Sequence, residues 1–349
     1  MFLDFSMDLL IFDMDGVLID VSKSYRETIL RTVQIYLETC LGFEKEKARL
    51  VTEADISLFK SVGGFNNDWD LTSGLLLYLL FILGIPPHSK RKHFSSIEKV
   101  ILHLRKRSYE FSSSRATRFK KQHLSLFIER VRALGGGLRG IRRALGASWD
   151  GWIYGSGDLD QENVIKRIFQ EVYLGRQFIS FYHLQPVFYR DQGLYLQEKL
   201  LIPRRTLSAL RKKMKIGIAS GRPKFEADLA LKRFRLLPYF DSVVTLDECT
   251  EEEARILHST GKRVNYSKPH PYSLLRVVQE IGIPDPRCGY VGDVVDDMVA
   301  AQAAKKTLQI LAIGFVSGHR KRSVMKESLI RAGADLVIES PKEFLRFVS

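Results

Sequence analysis

Two aspartates carry the first chemical signal in this chain. Asp13 and Asp15 stand two residues apart in D-L-L-I-F-D-M-D-G-V-L-I-D, the stretch from Asp8 to Asp20, and Gly16 follows them at once. Leu9 to Phe12 is a continuous apolar run, as expected of a strand buried on both faces of a parallel sheet. Gly16 lets the backbone turn sharply behind it, so both acids are presented at the carboxyl end of that strand, where open α/β sheets bind ligands. Unpaired negative charge is costly there. A hard cation such as Mg²⁺, held by oxygen ligands, would offset the repulsion and bind a phosphate as well. A helix-loop-helix calcium site does not fit, because its sixth position would be Leu18 instead of Gly and its twelfth Ser24 instead of Glu.

Three later segments offer polar residues of the same kind, two of them at the end of a short apolar run. Lys215 to Ala219 leads into Ser220-Gly221-Arg222-Pro223, where a hydroxyl and a glycine amide suit a phosphate oxygen. Lys268-Pro269-His270-Pro271 sets a cation in a proline-stiffened turn before a helix. Cys288 to Val291 runs into Gly292-Asp293, followed by Asp296, Asp297, Ala300 and Ala301. Each segment alone is explained as well by a helix cap or a solvated surface charge.

In this order, D-x-D-G-V-L, S-G-R-P, K-P-x-P and G-D-x-x-x-D-x-x-A-A, each at a strand end, the four resemble the haloacid dehalogenase superfamily of phosphohydrolases. The resemblance spans the N-terminal strand and about residues 200 to 340. It implies a doubly wound parallel-sheet α/β core with a large inserted α-helical cap, as in the phosphoglycolate-phosphatase-like members. It implies that Asp13 is the nucleophile, forming an aspartyl phosphate, and that Asp15 is the general acid and base. Ser220, Gly221 and Lys268 would hold the phosphate. Mg²⁺ would be bound by Asp13, by Asp15 through its backbone carbonyl and by Asp293, with Asp297 supporting the site. An acid at the Asp15 position marks the superfamily's phosphatases and phosphomutases, so dehalogenation is not expected. The expected activity is Mg²⁺-dependent hydrolysis of a small phosphorylated metabolite. A phosphomutase would use the same intermediate.

The elements that must position these residues follow from the rest of the pattern. Asp241 to Leu246, Leu308 to Ile313 and Ala334 to Ile338 read as further core strands alternating with helices. The core is expected at 1–20 and 204–349 and the cap at 21–203. After the first loop, Ser22 or Ser24 caps a helix to about Cys40, with Ile29, Val33, Tyr36 and Leu37 on its apolar face. Lys60 to Asp70 reads as a loop entering a buried helix over Leu75 to Ile85. By resemblance, Lys60, Asn66, Asn67 and Asp68 are candidate specificity residues. The apolar run is too short for a membrane span, and Gly84-Ile85-Pro86-Pro87 ends it. Gly135-Gly136-Gly137 and Gly155-Ser156-Gly157 lack the context of a nucleotide-binding fingerprint and read as hinges or loops.

Residues 85–145 hold sixteen Lys or Arg against three acids, so nearly all of the chain's net charge of +14 lies there. Ile97, Ile101 and Leu104, then Leu124, Phe127, Ile128 and Val131, keep helical spacing, which makes two basic amphipathic helices around a Ser-rich connection. A solvated or substrate-steering surface is the expected reading, and contact with nucleic acid or another anionic surface the alternative. Three cysteines without C-x-x-C spacing fit reduced thiols. The opening M-F-L-D-F-S-M-D has no basic start, so a signal peptide is not expected and the cytoplasm is the expected location.

Overall fold

The computed structural model describes residues 7–44, 50–65, 67–110, 124–319 and 322–348. The chain divides into two compact units, one of Met1–Ser22 with Glu198–Ser349 and one of Lys23–Gln197.

The first unit is built on β1 (Leu9–Phe12), β2 (Ile19–Asp20), β3 (Lys199–Leu200), β4 (Lys215–Ala219), β5 (Ser242–Val244), β6 (Arg287–Gly292), β7 (Gln309–Phe315) and β8 (Leu336–Ile338). Six of these form one parallel sheet in the order β5-β4-β1-β6-β7-β8. All four residues of β1 are fully buried, as a strand with neighbours on both edges and helices on both faces requires. The strand order reverses direction beside β1, which lies between β4 and β6. Such a switch point opens a crevice at the carboxyl ends of the strands. Phe12 pairs with Val291 and Asp13 N–H donates to the Val291 carbonyl at 2.9 Å, so the ends of β1 and β6 are level. β2 and β3 pair antiparallel as a separate two-stranded ribbon.

The strand expected over Asp241 to Leu246 is shorter, because Thr245 caps the helix Leu246–Thr260. Its hydroxyl accepts from the Asp247 amide while its own amide donates to Glu248 Oε2 at 2.7 Å.

The second unit is helical. The helix after Ser24 runs over Tyr25–Ile35 and passes into a π-helical turn at Tyr36–Cys40. The buried helix expected from Leu75 begins earlier, at Asp68, and runs to Ile82. The two basic helices are Ile97–Glu110 and Leu124–Ala133, and most of the connection between them lies outside the described residues. No helix among the described residues is long and apolar enough to cross a membrane. Cys40, Cys249 and Cys288 are buried free thiols.

The triple glycine is not a hinge. Gly136 caps a helix, Gly137–Leu145, and the Gly137 amide donates to the Gly63 carbonyl at 2.9 Å. A Cβ on Gly137, whose φ is +56°, would strike the Gly64 carbonyl, so two glycine runs far apart in sequence are needed for one close backbone approach.

The segment after the helix Val164–Leu174 is held from inside that helix. Glu171 is fully buried. Its Oε1 accepts from Arg167 Nε at 2.6 Å and from the Val187 amide at 3.0 Å, and its Oε2 accepts from the amides of Phe188 and Tyr189 at 2.6 and 2.9 Å. Arg167, nearly as enclosed, donates to the carbonyls of Leu159 and Gln185 at 3.2 and 2.6 Å.

Candidate active site

β1 delivers Asp13 and β6 delivers Asp293 to the same crevice, and Gly16 allows them to approach. Its φ is +76°, and a Cβ there would collide with the Asp293 carboxylate. Carboxylate oxygens of Asp13, Asp293 and Asp297 lie within 4.8 Å of one another, all three residues being buried. Lys268 enters from the loop before the helix Tyr272–Ile281 and bridges two of them, with Nζ at 2.9 Å from Asp13 Oδ1 and 2.8 Å from Asp297 Oδ1. Ser220, buried at the end of β4, accepts from the Arg222 amide at 3.2 Å, and Gly221 beside it is exposed with open space around its α-carbon.

Asp297 is already engaged on both oxygens. Oδ1 accepts from Lys268 and from the Tyr290 hydroxyl at 2.8 Å, and Oδ2 from the amides of Asp293 and Val294 at 3.0 and 3.2 Å. That pattern suits a residue that holds Lys268 and Asp293 in place. Asp15 points elsewhere: its Oδ1 accepts from Arg222 Nε at 2.6 Å and from Nη2 at 2.5 Å. Its carboxylate is not one of the three that cluster within 4.8 Å, though its charge still acts on Asp13.

Electrostatics show what the cluster lacks. Burial, opposed by Lys268 and reinforced by Asp297, Asp15 and Asp293, pushes the Asp13 carboxyl up to about 8. Burial also works against charge on Lys268, but Asp13 and Asp297 hold it well above the usual lysine range. One lysine thus faces several acids, and the donors are hard carboxylate oxygens, the set that suits Mg²⁺. Asp13 and Asp293 are the residues fitted to hold such a cation.

This shift has a consequence for stability. Between the unfolded value near 3.8 and about 8 the folded protein binds more protons than the unfolded chain, so metal-free stability falls as pH rises through that window. Within that window the loss runs at up to about 1.36 kcal/mol per pH unit. Urea unfolding in EDTA from pH 5 to pH 9 should show this fall, and millimolar Mg²⁺ should reverse most of it at the alkaline end. A flat profile in EDTA would contradict the assignment of Asp13 as a buried, charge-frustrated acid.

Other sequence-derived candidates lie in the helical unit and have local partners. Asn67 caps the helix Asp68–Ile82, its Oδ1 accepting from the Asp70 amide at 2.8 Å, and Lys60 pairs with Asp68 at 2.9 Å. Asn66 lies outside the described residues.

Three residues without an expected role join the site. Arg222 was visible only as a letter of S-G-R-P. Tyr290 sits inside β6, where an aromatic reads as core. His319 places Nε2 at 2.8 Å from Asp293 Oδ2. The one sequence signal for His319 was its position just past β7, the strand paired with β6.

A sequence profile of haloacid dehalogenase-like hydrolases matches residues 7–305. No curated protein sequence matches the chain. Among solved structures the chain is similar to an X-ray structure from the Northeast Structural Genomics Consortium, at 20% identity and a TM-score of 0.58 with 98% of each chain covered. It is also similar to phosphatase Tt82 from Thermococcus thioreducens, at 21% identity and a TM-score of 0.50, covering 92% of this chain and 99% of that one. At these identities the likeness is one of fold.

Proposed function

Because the chain belongs to the haloacid dehalogenase-like hydrolases, matched over residues 7–305, we propose that it hydrolyses a small phosphate monoester through an aspartyl phosphate on Asp13, with Mg²⁺ as cofactor. The observation that carries this reading is the Asp13 carboxylate itself. It is buried at a strand end, ion-paired to Lys268 and within reach of two further carboxylates.

In the first half-reaction an Asp13 oxygen attacks phosphorus and the bond from phosphorus to the ester oxygen breaks. The Asp15 carboxyl gives its proton to the leaving alkoxide, which departs as an alcohol. In the second, water attacks the same phosphorus, Asp15 takes its proton, and the bond to Asp13 breaks to release inorganic phosphate. Lys268 and the Ser220–Gly221 turn neutralise and orient the equatorial oxygens, which is where phosphoryl transfer needs stabilisation. Mg²⁺, when bound, adds charge neutralisation and orientation at those oxygens. Asp297 and Tyr290 hold the lysine: burial and Asp297 push the Tyr290 phenol well above its ordinary range, so it stays a donor to the carboxylate.

The unit Lys23–Gln197 is assigned as the cap. The loop of Lys60, Asn67 and Asp68, stiffened by its ion pair and helix cap, is assigned to substrate choice.

Release of inorganic phosphate from a panel of sugar phosphates, phosphorylated carboxylic acids, nucleotides and histidinol phosphate tests the reading. Activity should require Mg²⁺ and vanish in EDTA. Asn67→Ala and Asp68→Ala should reorder the panel more than they slow an aryl phosphate. Undiminished activity in metal-free buffer, or none on any monoester, would overturn it.

A further inference from the structure

The guanidinium of Arg222 is almost fully enclosed, with its side chain 1% exposed, and it touches two acids of very different environment. On one side Nε and Nη2 converge on Oδ1 of Asp15, whose side chain is 32% exposed. On the other, Nη2 donates to Oε1 of Glu198 at 3.0 Å, and Glu198 is itself 1% exposed. Glu198 is the residue at which the chain re-enters the α/β unit, immediately before β3. Its carbonyl is tied down by Arg233 Nη1 at 3.2 Å. The strand it precedes pairs with β2, and Asp15 bridges to Ile19 at the start of β2.

We propose that the buried Arg222–Glu198 pair is a positioning device for Asp15, fixing the orientation of the carboxyl that passes the proton to the leaving group and takes it from water. The proposal rests on the phosphatase reading above. Two charged donors converging on a single carboxylate oxygen, Nε and Nη2 on Oδ1, hold that oxygen in place more firmly than one bond to a mobile lysine would. Glu198 supplies the counter-charge that keeps the guanidinium from turning away, and its anchored backbone makes the pair rigid. The Arg222 side-chain bonds described above go to Asp15 and Glu198, and its backbone amide, which a side-chain substitution keeps, donates to Ser220. The effect expected of the side chain is on proton transfer through Asp15.

Proton donation matters most when the leaving group is a poor one, and this separates positioning from general damage. With a series of monoesters from dinitrophenyl through phenyl to simple alkyl phosphates, wild type should show a shallow dependence of kcat/KM on leaving-group pKa. Arg222→Ala should lose about 100-fold on alkyl phosphates and less than about 5-fold on dinitrophenyl phosphate, with KM nearly unchanged. Arg222→Lys should recover only part of the alkyl-phosphate rate, and Glu198→Gln should shift the series in the same sense by a smaller factor.

Should Arg222→Ala fail to fold because Glu198 is left unpaired, the double variant Arg222→Met with Glu198→Gln removes both charges and takes its place. A uniform loss across the series, or no loss, overturns the positioning role while leaving the phosphatase reading intact. A wild type inactive on every member of the series overturns both.

Discussion

Asp13→Asn should lower turnover of phosphate esters by about 10³-fold or more and, in metal-free buffer above pH 7, leave the protein as stable as wild type or more so. The first effect follows because an amide oxygen cannot form the acyl phosphate, and removal of a nucleophile leaves only the residual contribution of binding and electrostatics. The second follows from the direction of the Asp13 shift. A carboxyl pushed up to about 8 by burial and by its acidic neighbours is ionised at a cost, and the neutral amide does not bear it. The amide oxygen can still accept from Lys268, which lies 2.9 Å from Asp13 Oδ1, so the lysine keeps a partner. Phosphate release and thermal melting in EDTA at pH 8 measure the two effects on the same preparation. An inactive variant that also melts well below wild type would mean that Asp13 is chiefly structural. An active one would remove it from the chemistry.

The largest loss of stability should come from the helical unit, at Glu171. Glu171→Ala removes the acceptor of three successive amides, Val187 to Tyr189, and strands the buried Arg167 guanidinium with only two carbonyls. Breaking a buried pair by deleting one partner costs about 3–5 kcal/mol. Unsatisfied amides add to the loss. Urea unfolding followed by tryptophan fluorescence reports the helical unit, since Trp69, Trp149 and Trp152 all lie within Lys23–Gln197. That transition should move to lower urea by an amount equivalent to about 3 kcal/mol or more, with phosphate-ester chemistry unchanged at low temperature on a small aryl substrate. Glu171→Gln, which keeps an acceptor, should lose about half as much. A shift under 1 kcal/mol for Glu171→Ala would show that the network is relaxed by water.

The α/β core was legible because its signals are local. The apolar run Leu9–Phe12 read as a buried strand and is one, and Lys215 to Ala219 begins and ends where β4 does. The polar residues that follow β1, β4 and β6 were visible for the same reason, since a strand end and its next residues are contiguous in sequence. The helical unit was less legible. Gly137–Leu145 was not legible although Leu138, Ile141 and Leu145 recur at helical spacing, because the three consecutive glycines at its start read as a hinge and their close approach to Gly63 and Gly64, some seventy residues earlier, carries no local signal.

Asp13 and Asp293 could be read from the chain as acids at strand ends, because residue type and spacing carry that information, whereas Lys268, expected at a strand end as well, stands in the loop between the helices Leu246–Thr260 and Tyr272–Ile281. What each oxygen does could not be read, because hydrogen-bond partners are assigned by distance in space. Asp297 was expected beside the metal, and only the fold shows both its oxygens taken by Lys268, Tyr290 and two amides. Asp15 was readable as an acid, but its pairing with Arg222 joins residues 207 positions apart, and the Glu198 behind it carries no motif. A sequence records which charges are present and which lie at strand ends. Burial decides which of them must be neutralised and by whom, and burial exists only once the sheet has brought β1, β4 and β6 side by side.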